Sequence, residues 1–284
     1  KPSVAEKQLV RDLVLPEPSL FKAFIAAVNS REWLLFLLAE KQLELPLQSE
    51  QSKLTANDKN LEQERSSSRA ELLNGLLSRH LPECQAEVLD FLWNLPQVDH
   101  KKWLVQNALQ KLEVWDNLLA FKLYDDFPME MNHVFFDDLM KKAALKKTVW
   151  AMAHLKAAIG KQLDSAPSPY GELEFEYSLA KLIEYFAETY PEQTFDILLE
   201  AQTRRLFTPE SAEVKIDISP IVVDLPWFSF SMGDGRHDSN GLFSLLLSCA
   251  RNLAKKESPR FKQFIHESLN RNSATILLVL VEGF

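Results

Sequence analysis

The sequence predicts an all-α protein of stacked antiparallel helix pairs, similar to an α-solenoid, with one short extended or β-like insertion. Three observations favour this class. Apolar residues recur at helical spacing along most of the 284 residues, and Pro46, Pro82, Pro96 and Pro128 separate these segments. Glycine, which supplies the positive-φ positions of tight turns, occurs only 7 times. Its scarcity argues against tight-turned β-sandwiches and against nucleotide folds with glycine-rich loops.

Residues 1–46 are predicted to form an N-terminal helical segment. Ser19 is expected to cap a helix that begins near Leu20. Residues 31–45 follow as a strongly apolar helix, which Pro46 ends. A helix that is apolar on nearly all sides must be buried on several of them.

Residues 47–69 are predicted to be a polar linker or loop. Beyond Leu47, only Leu54, Ala56 and Leu61 are apolar in this segment. Such a composition buries little surface, so a mobile loop and a solvated helix are both open alternatives. The segment is the best candidate for a boundary in the chain.

Residues 70–165 are predicted to be a region of helical repeats. Helix pairs begin near residues 70, 99 and 132, at a spacing of about 30 residues, the size of one helix-turn-helix unit in a solenoid array. Asp99 is expected to cap the third helix. The predicted helices are residues 70–80, 83–95, 99–109, 113–124, 132–144 and 146–162, the last with Gly160 near its end.

Residues 166–284 are predicted to be a C-terminal helical region, opened by the proline-rich break APSPYG. Residues 214–241 form its irregular insertion, because they are rich in β-branched and aromatic residues and end in a glycine-containing loop. Ser258 and Pro259 supply a cap and a first-turn proline to a late helix. The predicted helices are residues 175–190, 191–206, 241–254 and 258–270, followed by an apolar end at 274–284.

One late segment resembles an ankyrin repeat. Asp238 to Gly241 matches its turn, Leu245 and Ala250 lie on its first helix, and Arg260 begins its second. The helix pairs of about 30 residues point the same way. The resemblance implies a stacked helical scaffold that binds proteins and carries no catalytic residues. The family's Thr-Pro-Leu-His signature is replaced here by Phe243, Ser244, Leu245 and Leu246.

Composition and charge exclude several classes of function. Hydrophobic residues are 46% and charged residues 25% of the chain, which is the balance of a folded protein. The net charge of −8, without a long basic stripe, argues against nucleic-acid binding. No apolar run approaches the ~20 residues of a membrane-spanning helix. Two distant cysteines, Cys84 and Cys249, favour a reducing, cytoplasmic compartment and the role of small buried hydrophobes.

The most suggestive candidate for chemistry is a group of acidic residues around His133. Because His133 and Asp137 are four residues apart, they are expected on one helix face, where they could bind a metal or act as an acid–base pair. Acidic residues at helix ends explain the pattern more simply, and no second histidine stands at ligand spacing. The remaining acidic residues of the group are Asp125, Asp126, Glu130 and Asp138.

The glycine-containing loop at residues 233–240 is the second candidate. It matches neither a calcium-binding loop nor a phosphate loop, and His237, Asp238 and Ser239 are too close in sequence to form a triad alone. A connecting turn, a protein-contact loop and an active site all stay open. An aromatic group precedes the loop and is the preferred exposed patch for a partner. The predicted partner-binding residues are Trp227, Phe228, Phe230, Asp234, Arg236 and His237.

Two further groups have a structural reading and a functional one. The lysines at 141, 142, 146 and 147 could contact an anionic lipid or an acidic partner, but they are also typical of a solvated face. The five tryptophans that precede Trp227 are expected to pack in the core or between helix pairs.

The sequence therefore predicts a non-catalytic protein–protein interaction module, such as a scaffold, adaptor or regulator. No cofactor or metal is expected, and another protein is the expected partner rather than a small-molecule substrate. One alternative is a helical enzyme with a metal or acid–base site at His133 and Asp137, or at His237 and Asp238 in the loop. The other alternative is a membrane-surface trafficking factor that uses the lysine cluster.

Overall fold

A computed structural model describes residues 1–40, 56–96, 100–165, 173–206, 241–268 and 279. It confirms the all-α prediction for these residues, which contain no β-sheet and a single isolated β-bridge between Glu174 and Gly241. None of their helices is long and apolar enough to cross a membrane. The predicted insertion and the C-terminal apolar end fall almost entirely outside the described residues.

The helices are named here in chain order. They are α1 (Val4–Leu9), which continues into a π-helical turn (Val10–Val14), α2 (Pro18–Ala27), α3 (Arg31–Ala39), α4 (Ala56–His80), α5 (Gln85–Asn94), α6 (Lys101–Gln110), α7 (Leu118–Asp126), α8 (Phe136–Ala144), α9 (Thr148–Ser165), α10 (Tyr177–Thr189), α11 (Pro191–Leu206), α12 (Leu242–Lys255) and α13 (Pro259–Ser268).

The chain divides into two compact units, Lys1–Met129 and Glu130–Phe284. This division falls within the repeat region that the sequence predicts at residues 70–165. Local composition marks a polar stretch well, but a division between units depends on which helices pack together, and that is not a local property.

In the first unit, α2, α4 and α6 end at the same edge. Arg79, near the end of α4, donates hydrogen bonds to the carbonyl oxygens of Ile25 and Val28 at the end of α2. Lys111, just after α6, donates to Ser78 Oγ at 2.6 Å. Arg79 thus provides a cationic donor for two carbonyl groups at the C-terminal end of α2, where carbonyl groups lack partners within the helix.

The remaining helices of the first unit, α3, α5 and α7, form a second set. Arg31 at the start of α3 forms an ion pair with Glu87 near the start of α5. Lys122 of α7 lies 5.7 Å from the ring centroid of Trp93 of α5, while the earlier residue Gln85 contacts the segment just before α7. The start of α5 therefore contacts the segment before α7, and the end of α5 contacts a later residue of α7. The two helices run in the same direction.

In the second unit, alternate helices again end at the same edge. Lys141 of α8 lies over the Tyr185 ring of α10 at 5.5 Å, and Tyr190, after α10, donates to Ala144 O at the end of α8. Lys256, after α12, donates to the carbonyl oxygen of Glu188 of α10. The helices α8, α10 and α12 therefore end at one edge of the unit.

Ion pairs and hydrogen bonds join α9, α11 and α13. Along each pair of helices, successive residues of one contact successive residues of the other, so the helices run in the same direction. Lys156 binds Glu200 at 2.6 Å, and Asp164, further along α9, binds Arg204, further along α11. Two side chains at the start of α13 contact α11 in the same way: Ser258 bonds Glu192 and Arg260 bonds Asp196.

Each unit has its own apolar core beneath these contacts. Fully buried side chains in the first unit are Leu34, Leu37, Leu73, Leu76, Leu89 and Trp115, and in the second unit Leu155, Leu182, Ile183, Phe186, Phe195 and Phe264.

Several predicted helix starts and caps were wrong. The helix α2 begins at Pro18, so Ser19 lies inside it and does not cap it; proline is tolerated in the first turn, where its missing N–H has no acceptor. The cap position of α6 is His100, which has a φ of 65° and no side-chain cap bond, whereas the predicted Asp99 lies outside the described residues. Ser258 does cap α13, accepting from Arg260 N at 3.1 Å.

Other boundaries moved along the chain. The apolar helix α3 ends at Ala39, with Glu40 already extended, and Pro46 is outside the described residues. The helix α4 begins at Ala56, so the segment predicted as a linker or loop is helical from that residue onward. Gly160 does not end α9, which continues to Ser165.

Candidate functional site

The predicted metal or acid–base group around His133 is not assembled as expected. The helix α8 begins at Phe136, so His133 lies in the preceding turn and does not share a helix face with Asp137. His133 Nδ1 accepts from the backbone N–H of Phe135 at 3.4 Å, while Asp137 accepts from Lys141 at 2.9 Å. The two side chains therefore have different partners, and the prediction of one shared helix face was wrong.

No group of three or more histidine, cysteine or carboxylate side chains with metal-binding geometry occurs among the residues that the structure describes. The predicted loop site at residues 233–240 lies outside the part of the chain that the structure describes. His237, Asp238 and the partner-binding residues Trp227, Phe228, Phe230, Asp234 and Arg236 all lie outside the described residues.

Both cysteines are buried and free, as the sequence predicted. Burial raises the pKa of the Cys84 thiol, and it raises the pKa of Cys249 to about 12. Cys249 Sγ also lies 3.2 Å from the carbonyl oxygen of Pro191. Because the thiolate is the nucleophilic form, neither side chain is activated for covalent chemistry.

The lysine cluster is partly neutralised within its own helix. Lys141 pairs with Asp137 and Lys142 with Asp138, each four residues apart along α8. Lys146 is exposed in the turn that follows. Carboxylates therefore pair with two of the four ammonium groups. The cluster presents less net positive charge than its four lysines alone would suggest.

The tryptophans separate into two groups that the sequence did not distinguish. Trp115 is fully buried against Phe121 and Tyr124, with ring centroids 5.3 Å and 6.4 Å away. Trp93 and Trp103, in contrast, are 38% and 39% exposed. These two side chains therefore do not lie in the core, which was one of the two places predicted for the five tryptophans, the other being between helix pairs.

Trp93 belongs to an exposed surface that crosses three neighbouring helices, called here the α3/α5/α7 face. Its apolar members project from all three helices, with Leu35 42% exposed and Leu118 62% exposed. The exposed residues of this face are Arg31, Leu35, Ala39, Ala86, Asp90, Trp93, Asn94, Leu118, Lys122, Asp125 and Asp126.

Hydrogen bonds hold the helices beneath the face. Gln85 Nε2 donates to the carbonyl oxygen of Val114 at 3.1 Å and to Asp116 Oδ1 at 3.4 Å, which fixes the start of α5 against the segment before α7. The buried ammonium of Lys101 donates to the carbonyl oxygen of Leu95, just after α5. Burial lowers the pKa of Lys101, while the nearby Asp126 opposes that change.

The α3/α5/α7 face is acidic. Arg31 is already paired with Glu87, and Lys122 lies over the Trp93 ring, so both bases have a partner on the face itself. A negative potential therefore accompanies the exposed apolar side chains. The acidic residues on or beside the face are Glu87, Asp90, Asp116, Asp125 and Asp126, and its basic residues are Arg31 and Lys122.

The other helices of this unit carry the opposite sign. On α2, α6 and the described side chains of α4, the exposed charged residues are mostly basic, and Trp103 is exposed among them. The exposed bases are Lys22, Arg69, Arg79 and Lys102, followed by Lys111 just after α6, and Glu71 is an acid within the same helices.

Sequence reasoning missed this face, although one signal for it was present. The segment QAEVLDFLWN of α5 contains two acidic residues, no basic residue and, one position before its end, Trp93. On a helical projection, Trp93 falls beside the exposed Ala86 and between Asp90 and Leu89, and it lies well away from the buried Val88 and Leu92. Because tryptophan side chains are usually buried, the residue type predicts burial for Trp93 even though its neighbours on the helix include exposed residues.

The second unit also exposes apolar side chains, but at the ends of its helices. Val134 and Phe135 precede α8, Leu145 follows it, and Val149 is 85% exposed in the first turn of α9. Tyr177 begins α10, with the Lys181 ammonium 4.4 Å from its ring centroid. Val134, Phe135 and Tyr177 lie at the starts of α8 and α10, whereas Leu145 and Val149 lie at the other end of α8, so the five side chains do not form one surface.

No family model, no curated protein and no solved structure matches this chain.

Proposed function

We propose that the protein is a non-catalytic protein–protein interaction module in which helix pairs stack in an α-solenoid-like array. The observation that carries the proposal is the helix order within each unit. Alternate helices end at the same edge, as with α2, α4 and α6, and with α8, α10 and α12. Arrays of stacked helix pairs present extended surfaces, and these surfaces commonly bind other proteins.

The chemistry of the described residues supports the same proposal. His133 and Asp137 have separate partners, and both thiols are buried with raised pKa values. Exposed apolar side chains nevertheless remain, and Leu35, Trp93 and Leu118 are among those of the first unit. Large apolar side chains exposed together on one surface are typical of contact sites for other proteins.

The test is affinity capture of the full chain followed by reconstitution. Proteins captured at near-stoichiometric yield would be purified and titrated against the chain, and we expect a dissociation constant in the micromolar range or tighter. A Trp227→Ala, Phe228→Ala double variant tests whether the predicted aromatic patch contributes. The proposal fails if no purified candidate binds, or if the chain turns over a substrate and His133→Ala or His237→Ala abolishes that activity.

A further inference from the structure

We propose that the α3/α5/α7 face binds a basic amphipathic segment of a partner protein. This inference rests on the proposed function and adds the surface and the chemistry of the partner. The apolar side of the segment would cover Leu35, Trp93 and Leu118, and its lysine or arginine residues would face the surrounding carboxylates.

The apolar side chains define where the segment lies. Leu35, Trp93 and Leu118 are each more than a third exposed, and they lie on three alternate helices of one unit. Tryptophan in a contact surface commonly supplies a large share of the binding energy. The Lys122 ammonium, 5.7 Å from the Trp93 ring centroid, restricts one side of the indole before any partner arrives.

The charge of the face decides which partner fits. Asp90 is exposed in the middle of α5, and Asp125 and Asp126 are exposed at the end of α7. Carboxylates at a helix C-terminus face the negative end of the helix dipole, so their position is unfavourable for the helix itself. A basic partner would gain from this potential, whereas anionic lipid surfaces and nucleic-acid phosphates would be repelled.

The difference in charge around the two exposed tryptophans of this unit also favours a basic partner for the α3/α5/α7 face. The exposed tryptophan on α6, Trp103, stands beside the basic Lys102, whereas Trp93 stands beside Asp90. The two indoles are almost equally exposed, at 38% for Trp93 and 39% for Trp103. Two surfaces of similar apolar character but opposite charge would select different partners, and only the α3/α5/α7 face selects a basic one.

The dimensions of the face set the length of the segment. Packed helices lie about 8–10 Å apart, so crossing α3, α5 and α7 covers roughly 16–20 Å between the outer helix axes. A helical segment rises 1.5 Å per residue, so about 11–13 residues would span the face. A single amphipathic helix of three to four turns is therefore sufficient, with its apolar residues at i, i+3, i+4 and i+7.

The test uses three synthetic helical peptides of about 18 residues and fluorescence anisotropy with the full chain. The first has leucines on one face and lysines on the other. The second replaces the lysines with glutamates, and the third replaces the leucines with serines. We expect the first peptide to bind at least about tenfold more tightly than the other two, and to weaken as salt is raised.

Variants of the chain locate the site. We expect Asp90→Lys and the double variant Trp93→Ala, Leu118→Ala each to weaken binding of the first peptide by about tenfold or more. The matched controls are Trp103→Ala and Lys102→Glu, which change an equally exposed tryptophan and a charge on the other helix set. These controls should leave the affinity within about twofold of the wild-type value. Circular dichroism would verify that every variant is folded.

Three results would overturn the inference. They are equal binding of all three peptides, equal losses from the face variants and from the control variants, and self-association of the chain through this face in sedimentation experiments. The proposed function fails separately, when affinity capture and reconstitution give no protein partner at all. A reconstituted partner that binds Asp90→Lys and the Trp93→Ala, Leu118→Ala variant normally would overturn this inference and leave the proposed function standing.

Discussion

Arg79 donates a hydrogen bond from Nη1 to the carbonyl oxygen of Val28 at 2.8 Å, and the same nitrogen contacts the carbonyl oxygen of Ile25 at 2.9 Å. One cation on α4 thus holds the C-terminal end of α2. We expect Arg79→Met to lower the free energy of unfolding by about 1.5–3 kcal/mol, because it removes a charged donor from two carbonyl groups. Urea denaturation followed by circular dichroism measures the change.

Arg69 provides the control for this prediction. It is exposed on the same helix, so Arg69→Met should change the free energy of unfolding by no more than about 0.5 kcal/mol. Equal losses for the two variants would show that Arg79 acts through general charge rather than through the end of α2.

The neighbouring His80 predicts a pH dependence of stability. It is buried, and burial lowers its pKa below the usual value, with Arg79 lowering it further and the Val28 carbonyl and Glu83 opposing the change. The unfolded chain therefore takes up a proton on this imidazole at a higher pH than the folded chain does. The stabilising contribution is complete above about pH 6.5 and is lost as the pH falls below that value.

The measurement compares wild-type protein with His80→Gln in urea titrations between about pH 7.5 and 5.5, within the range where histidine titrates. We expect the wild type to lose more stability than the variant over this interval. His266 is exposed on α13, and His266→Gln should keep the wild-type slope. Parallel curves for wild type and His80→Gln would contradict the assignment.

Local signals in the sequence located most of the helices. The start of α11 at Pro191 was predicted to the residue, and α5 and α10 lie within two residues of their predicted limits. Proline and the period of the apolar residues act over a few neighbouring positions, so the sequence carries this information directly. The buried cysteines followed from residue type in the same way.

The features that the sequence predicts wrongly depend on how distant segments pack together, which local sequence patterns do not determine. The segment before α7 looked helical, but Trp115 is buried there and Asn117 caps the helix by accepting from Leu119 N. His133 and Asp137 were predicted to share one helix face, but the helix begins only at Phe136. The α3/α5/α7 face was missed because three segments far apart in sequence must come together to form it.

A cluster of three phenylalanines joins α13 to α11 in the second unit. Phe195 of α11 lies 5.0 Å from Phe264 and 6.2 Å from Phe261 between ring centroids, and all three side chains are buried. We expect Phe264→Ala to lower the free energy of unfolding by about 3–5 kcal/mol, because it removes buried aromatic surface and leaves a cavity. Faster hydrogen exchange in α13 would accompany the loss.

Phe264→Leu is the control for this prediction, because leucine refills part of the space. It should recover at least half of the lost free energy. The half-buried Ile265 gives a second comparison on the same helix, since Ile265→Ala leaves the ring cluster intact and should cost less. Equal effects of Phe264→Ala and Ile265→Ala would contradict a specific role for the ring cluster.

The two thiols should be inert in the folded protein. Cys84 and Cys249 are buried, and the raised pKa values leave little thiolate at pH 8, where an ordinary cysteine is partly ionised. We expect fewer than one thiol per chain to react rapidly with an aromatic disulfide reagent at this pH, and two to react after the chain is unfolded in guanidinium. Cys84→Ser and Cys249→Ser assign each reaction. A thiol that reacts in the folded protein as fast as a small-molecule thiol would contradict the burial of that cysteine.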